Sequence, residues 1–221
     1  MSEEDQTTSG TPMPLTAGRT ALVVVDMQKA FLDPQGSCAR LGLPYDALRT
    51  AIPGVKRLIS AARESGLPII YTRFVYRDDY RDGGIVTNQL LPALRENRAL
   101  AAGTADIEII DELTPQSGDI VIDKNRPGAF HGTPLRSCLD GLDANGLILC
   151  GVTTNVCVET TAREAMQHDF RVWVVADATA EFEDDRHTVA LKGLSWMFAS
   201  IVESRQALAA ISSLGQTNPN T

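Results

Sequence analysis

Short, unbroken runs of β-branched and aliphatic residues, each followed by a segment of helix length, constrain this chain's fold more than any other feature. "ALVVV" (21–25), "PIIYTRF" (68–74), "DIVID" (119–123), "LILCGV" (147–152) and "FRVWVVAD" (170–177) lack strict polar alternation, as strands covered on both faces do. A helix is expected over 45–65, with Pro53 disturbing its first turns and Gly66-Leu67-Pro68 stopping it. "TPLRSCLDGLDANG" places Thr133 at an N-cap, Pro134 at the first helical position and Gly146 as terminator. Helices over 154–167 and 184–199, a short strand over 200–202 and a final helix in "SRQALAAISSL" complete the series. Strands alternating with helices imply right-handed crossovers. The expected fold is therefore α/β, a three-layer α/β/α sandwich around a mostly parallel sheet.

Residues 1–18 are polar, acidic and without periodicity, so they read as a flexible N-terminal tail. Residues 19–214 read as one domain and 215–221 as a C-terminal tail. With 221 residues, 43% of them apolar, the chain can bury one sizeable core. The stretch 75–107 is irregular and too long for a plain connection, which suggests a lid or a subunit contact. A net charge of −8 without any dense Lys/Arg cluster excludes a nucleic-acid partner. The N-terminus has no basic-then-apolar leader and no apolar run is long enough to span a bilayer, so a soluble, cytoplasmic protein without membrane contacts is expected.

In an open parallel sheet, ligands gather at the carboxyl ends of the strands. Here those ends carry Asp26, Arg73, Lys124, the stretch from Gly151 to Cys157, and Asp177. If Thr153 or Thr154 caps the following helix, Cys157 lies in its first turn, where the helix N-terminus and the charge of Lys124 both favour a thiolate. Backbone amides in that turn can hold an oxyanion, and Asp26 can take the thiol proton as general base. The four cysteines form no C-x-x-C pair, which argues against a disulfide framework or a zinc knuckle; Cys38, Cys138 and Cys150 read as packing residues. His131, His168 and His187 are too scattered for a metal cage, so neither metal nor cofactor is expected. Arg73, Arg77, Arg81 and Arg126 fall near strand ends, where a guanidinium can clamp a carboxylate; Arg126 is favoured because it stands two residues from Lys124.

"VVVDMQKAF" (23–31), "IDKNRPGAF" (122–130) and "GVTTNVCVETTAREA" (151–165) resemble, in order and spacing, the catalytic segments of cysteine hydrolases in the isochorismatase-like superfamily. The resemblance runs from about residue 19 to 204. It implies a six-stranded parallel sheet and a triad of Asp26, Lys124 and Cys157. It further implies a cis peptide between Val152 and Thr153 and an oxyanion hole from the amides of Thr153 and Cys157. The implied chemistry is metal-independent cleavage of an amide, carbamoyl or ureido C–N bond through a thioester. "YRDDYRDGG" and "KNRPGAF" are similar to segments of the N-carbamoylsarcosine and ureidoacrylate amidohydrolases, while "TRFVYRDDYRDGG" lacks the histidines with which nicotinamidases bind metal. Phe31 is expected to wall the pocket, with Phe130 as a second aromatic and Gln28 orienting Asp26. Vinyl ether hydrolysis without covalent catalysis and a non-catalytic role are the alternatives. The family resemblance also implies a homodimer or homotetramer, and Trp173 and Trp196 suit core or subunit contacts.

Overall fold

The computed structural model describes residues 11–215. Its centre is a six-stranded, wholly parallel sheet: β1 (Thr20–Val25), β2 (Ile69–Phe74), β3 (Ile120–Lys124), β4 (Gly146–Val152), β5 (Arg171–Ala180) and β6 (Ser200–Val202). The strands lie in the order β3-β2-β1-β4-β5-β6. From β1 the chain winds outward through β2 to β3, then crosses to the opposite side of β1 for β4. The strand order thus reverses between β1 and β4, and a crevice opens beyond their carboxyl ends.

Every residue of β1 is buried, and its side chains divide between two cores. Ala21, Val23 and Val25 face helices Leu135–Gly141, Glu159–Gln167 and Asp184–Met197, which contribute Leu135, Leu139, Ala162, Ala165 and Leu194. Leu22 and Val24 face helices Ile52–Glu64 and Ser204–Gly215, which contribute Val55, Leu58, Ala207 and Ile211. The absence of polar alternation in the strand therefore records burial on both faces. Pro53 sits in the first turn of the Ile52–Glu64 helix, where its missing N–H breaks no bond; the preceding residues form a separate short turn, Tyr45–Leu48.

Three boundaries differ from those expected. The helix after Thr133 starts at Leu135 and ends at Gly141; Gly146 instead opens β4, where it pairs with Thr20 and Arg171. Thr133 acts just ahead of that helix, its Oγ1 accepting a 3.1 Å bond from Leu135 N. Strand β5 continues to Ala180, past Asp177, because a register shift between Leu149 and Gly151 lets β4 keep pairing with Thr179 and Ala180. Asp177 is consequently not at the strand's end, and its carboxylate accepts bonds from Ser204 N and Oγ at 2.6 and 2.7 Å.

Of the expected tails, residues 1–10 and 216–221 lie outside the described residues. From Met13 onward the N-terminal segment is tied down: Met13 N donates to Ser200 Oγ and Trp173 Nε1 donates to the Met13 carbonyl. These anchors are largely backbone groups, which the polar side-chain pattern does not reveal. Among the described residues, no helix is long and apolar enough to cross a membrane.

Candidate active site

Asp26 leaves β1 in the left-handed region at φ +51°, a conformation that aspartate tolerates better than most residues. Its carboxylate is wholly buried. Thr72, in register with Val25 on β2, donates from Oγ1 to Asp26 Oδ1 at 2.6 Å. Lys124 closes β3 and reaches across β2, its ammonium passing 4.3 Å from the centre of the Phe74 ring. The Nζ comes to rest 2.8 Å from Asp26 Oδ2, 3.5 Å from Cys157 Sγ and 3.1 Å from the Arg126 carbonyl. The Oδ2 contact is an ion pair without the alignment of a hydrogen bond, which leaves that oxygen able to take a proton.

Cys157 lies in a wide π-type turn, Thr154–Val158, that opens directly into the Glu159–Gln167 helix. Gly151 precedes it at φ +114°, and a Cβ there would fall 2.1 Å from the Val25 carbonyl oxygen, so only glycine lets β4 approach β1 this closely. The Val152-Thr153 peptide is cis. The turn is braced from behind: Glu181 Oε2 accepts from Asn155 N at 3.0 Å, and Thr154 Oγ1 lies 2.8 Å from His187 Nδ1.

Burial lowers the affinity of the Lys124 amine for its proton, but the Asp26 carboxylate and the Cys157 sulfur outweigh it, so its pKa rises and the ammonium persists. Burial pushes the Cys157 thiol upward; Lys124 opposes this, while the negative charge of Asp26 reinforces it. The net shift is upward. Burial therefore works against the thiolate that the helix N-terminus and Lys124 favour; Cys157 is only 4% exposed, which is why burial leads among these causes.

The remaining candidates separate into those near this cluster and those engaged elsewhere. Phe31 is half-buried and packs against both cores. Arg126 holds the Asp82 and Asn125 carbonyls with Nη1, at 2.8 and 2.6 Å. Arg73 is engaged elsewhere, its guanidinium forming a two-pronged pair with Asp123 of the neighbouring β3 at 2.7 and 2.9 Å. Arg77 likewise grips Asp79. The side chain of Gln28 does not bond the Asp26 carboxylate; its buried amide bonds the backbone of Phe74, at the end of β2, and of Asp106. Phe130 is a core residue, its ring 5.0 Å from that of His168 and 5.9 Å from that of Phe170.

Sequence reasoning passed over Thr72, Phe74, Tyr76, Glu181 and His187. A lone hydroxyl inside "PIIYTRF" was a usable signal for Thr72; nothing local marks Glu181 or His187, which reach the site only through the extended β5 and the helix after it. A hollow of about 260 Å³ opens beside Tyr76, Asp82, Lys124 and Asn125, although Cys157 is not part of its wall. Among the described residues, no group of three or more His, Cys, Asp or Glu is arranged to hold a metal ion.

The chain has clear relatives. A model of the isochorismatase domain matches residues 20–206. The ureidoacrylate amidohydrolase RutB of Methylorubrum extorquens is 34% identical over 180 residues, 76% of this chain and 72% of the relative. That of Serratia proteamaculans is 36% identical over 172 residues, 72% of this chain and 69% of the relative. Among solved structures, a cysteine hydrolase from Pseudomonas syringae pv. phaseolicola superposes with a TM-score of 0.82 at 31% identity, covering 91% of this chain and 99% of that one. The N-carbamoylsarcosine amidase of Thermoplasma acidophilum gives 0.68 at 28% identity, covering 84% and 96%. Sheet order, the buried cluster at its switch point and these likenesses agree: the chain belongs to the isochorismatase family.

Proposed function

We propose that this protein is a cysteine amidohydrolase that cleaves a C–N bond of a small ureido, carbamoyl or amide substrate through a thioester, without a metal. The observation that carries the reading is the position of Lys124 Nζ, 2.8 Å from Asp26 Oδ2 and 3.5 Å from Cys157 Sγ. The relatives' names, ureidoacrylate amidohydrolase and N-carbamoylsarcosine amidase, support the substrate class.

Burial raises the pKa of the Cys157 thiol, so nucleophilic attack calls for a base in place, and Asp26 takes that role. The Cys157 S–H proton passes to Asp26 as sulfur bonds to the substrate carbonyl carbon. The resulting oxyanion is held by the amides of Thr153 and Cys157. The C–N bond then breaks, Asp26 returns the proton to the departing nitrogen, and ammonia or an amine leaves a thioester on Cys157. Water, deprotonated by Asp26, releases the acyl or carbamate product and restores the thiol. Lys124 remains an ammonium throughout, holding Asp26 in place and compensating the passing negative charge on sulfur.

Ammonia release from a panel of ureas, N-carbamoyl amino acids and small amides tests this. Cys157→Ala should lower kcat by about 10⁴-fold or more while leaving the fold intact. Undiminished ammonia release by that variant would refute the covalent step, whereas vinyl ether hydrolysis that survives in Cys157→Ala without any ammonia release by the unsubstituted protein would favour the ether reading. We also propose a dimer or tetramer, because Ile85, Leu90 and Leu91 of the 75–107 segment and Val189, Trp196 and Met197 of the Asp184–Met197 helix are exposed. Light scattering checks this, and a monomer would refute it.

A further inference from the structure

Tyr76 follows β2 by two residues and is fully buried, yet among the described residues no group hydrogen-bonds its hydroxyl. Its backbone is fixed by bonds to Leu100 and Ala102, and its ring is wedged between those of Phe74 at 5.1 Å and Tyr80 at 5.6 Å. Phe74 is the same ring over which the Lys124 ammonium passes, and Tyr76 and Cys157 share one buried cluster. The phenol is therefore held in place at the hollow that Lys124 also lines, with an unused donor.

A buried hydroxyl without a partner is costly, and phenylalanine would fill the same space more favourably. Tyr80, its neighbour in the stack, shows the usual outcome, with its hydroxyl bonded to the Ala99 carbonyl at 2.7 Å. Burial raises the pKa of the Tyr76 phenol; the charge of Arg126 opposes this, while Cys157, Asp82 and Tyr80 add to it. Asp82 is already occupied, its carboxylate accepting from Arg77 N and Asn125 Nδ2. Arg126 is anchored through Nη1 to carbonyls, so it contributes a fixed positive charge.

We infer that Tyr76 is a substrate-binding residue whose hydroxyl donates a hydrogen bond to a substrate carboxylate, drawn there by the anchored charge of Arg126. This rests on the amidohydrolase reading and narrows it to ureido or carbamoyl acids over neutral ureas. The donor completes its hydrogen bonding only when the acid binds, which also selects against neutral analogues.

Calorimetry separates this from the hydrolytic reading, because it needs no turnover. In the Cys157→Ala background, binding of 3-ureidopropionate and of N-propylurea, which replaces the carboxylate with a methyl group, is compared with and without Tyr76→Phe. Loss of a hydrogen bond to a charged acceptor should weaken 3-ureidopropionate by about 10- to 100-fold and leave N-propylurea within about twofold. The unfolding midpoint of the Tyr76→Phe variant should equal or exceed that of its parent. Equal weakening of both ligands, unchanged binding of 3-ureidopropionate, or binding of neither ligand would overturn the assignment. Failure of the hydrolytic reading alone would appear as binding of the acid without ammonia release by the unsubstituted protein.

Discussion

At the scale of single residues, the site is a buried ion pair with a thiol set against it. Thr72 shows how strongly neighbours support it: its hydroxyl is the aligned donor to Asp26 Oδ1, at 2.6 Å. Thr72→Val keeps the shape but strips that donor from a buried carboxylate, so we expect a loss of about 1–3 kcal/mol in urea unfolding and a fall in kcat. Arg73 offers the opposite case. Its guanidinium is engaged by the half-exposed Asp123 of β3, so Arg73→Ala should leave KM unchanged and alter stability by about 1 kcal/mol or less. Steady-state kinetics on the two variants distinguishes a site residue from a neighbour in sequence. Asp26 and Lys124 end apolar runs and Cys157 lies in the turn after one, but it was the resemblance of the segments 23–31, 122–130 and 151–165 to family segments that singled the three out together. Arg73, Gln28 and Phe130 could not be excluded, since whether a guanidinium, amide or ring is already engaged depends on partners far away in the chain.

At the scale of elements, the apolar runs and glycine stops located every strand of the sheet. What they did not reveal was irregularity. The register shift in β4 carries β5 beyond Asp177, and the polar residues of "ADATAE" gave no hint that pairing continues to Ala180. Nor does sequence distinguish an ordinary helix start from the wide turn Thr154–Val158, which packs against the Asp184–Met197 helix, β4 and β5. Gly151 is the point where this geometry is most constrained. Gly151→Ala would force a Cβ to within 2.1 Å of the Val25 carbonyl oxygen at φ +114°. We expect destabilisation of about 3 kcal/mol or more, read as a lower urea midpoint, together with loss of activity as the turn carrying Cys157 shifts.

At the scale of the whole molecule, the strand order explains why three residues distant in the chain meet. Asp26 and Cys157 follow the two strands flanking the reversal, and Lys124 bridges from β3 over Phe74. Burial that suits this chemistry has a consequence at high pH. It pushes the Cys38 thiol up to about 12 from 9.0, raises Cys150 as well, and pushes Tyr71 up to about 12 from 10.0. Each group binds its proton more tightly folded than unfolded, so the unfolded chain releases protons first as pH rises. Stability from these groups should be fully present below about pH 9 and decline above it, by at most about 1.4 kcal/mol per pH unit for each buried thiol. Urea midpoints at about pH 8 and about pH 10.5 would show this; a midpoint that rises between them would contradict it.

Rapid acid quench of the protein with a carbamoyl or ureido acid, followed by intact mass and peptide mapping, tests the covalent role of Cys157 most directly. We expect a transient acyl adduct confined to the peptide containing Cys157, formed no more slowly than ammonia is released and absent from Cys157→Ala. Full turnover with no adduct at that sulfur, or an adduct on another residue, would contradict it.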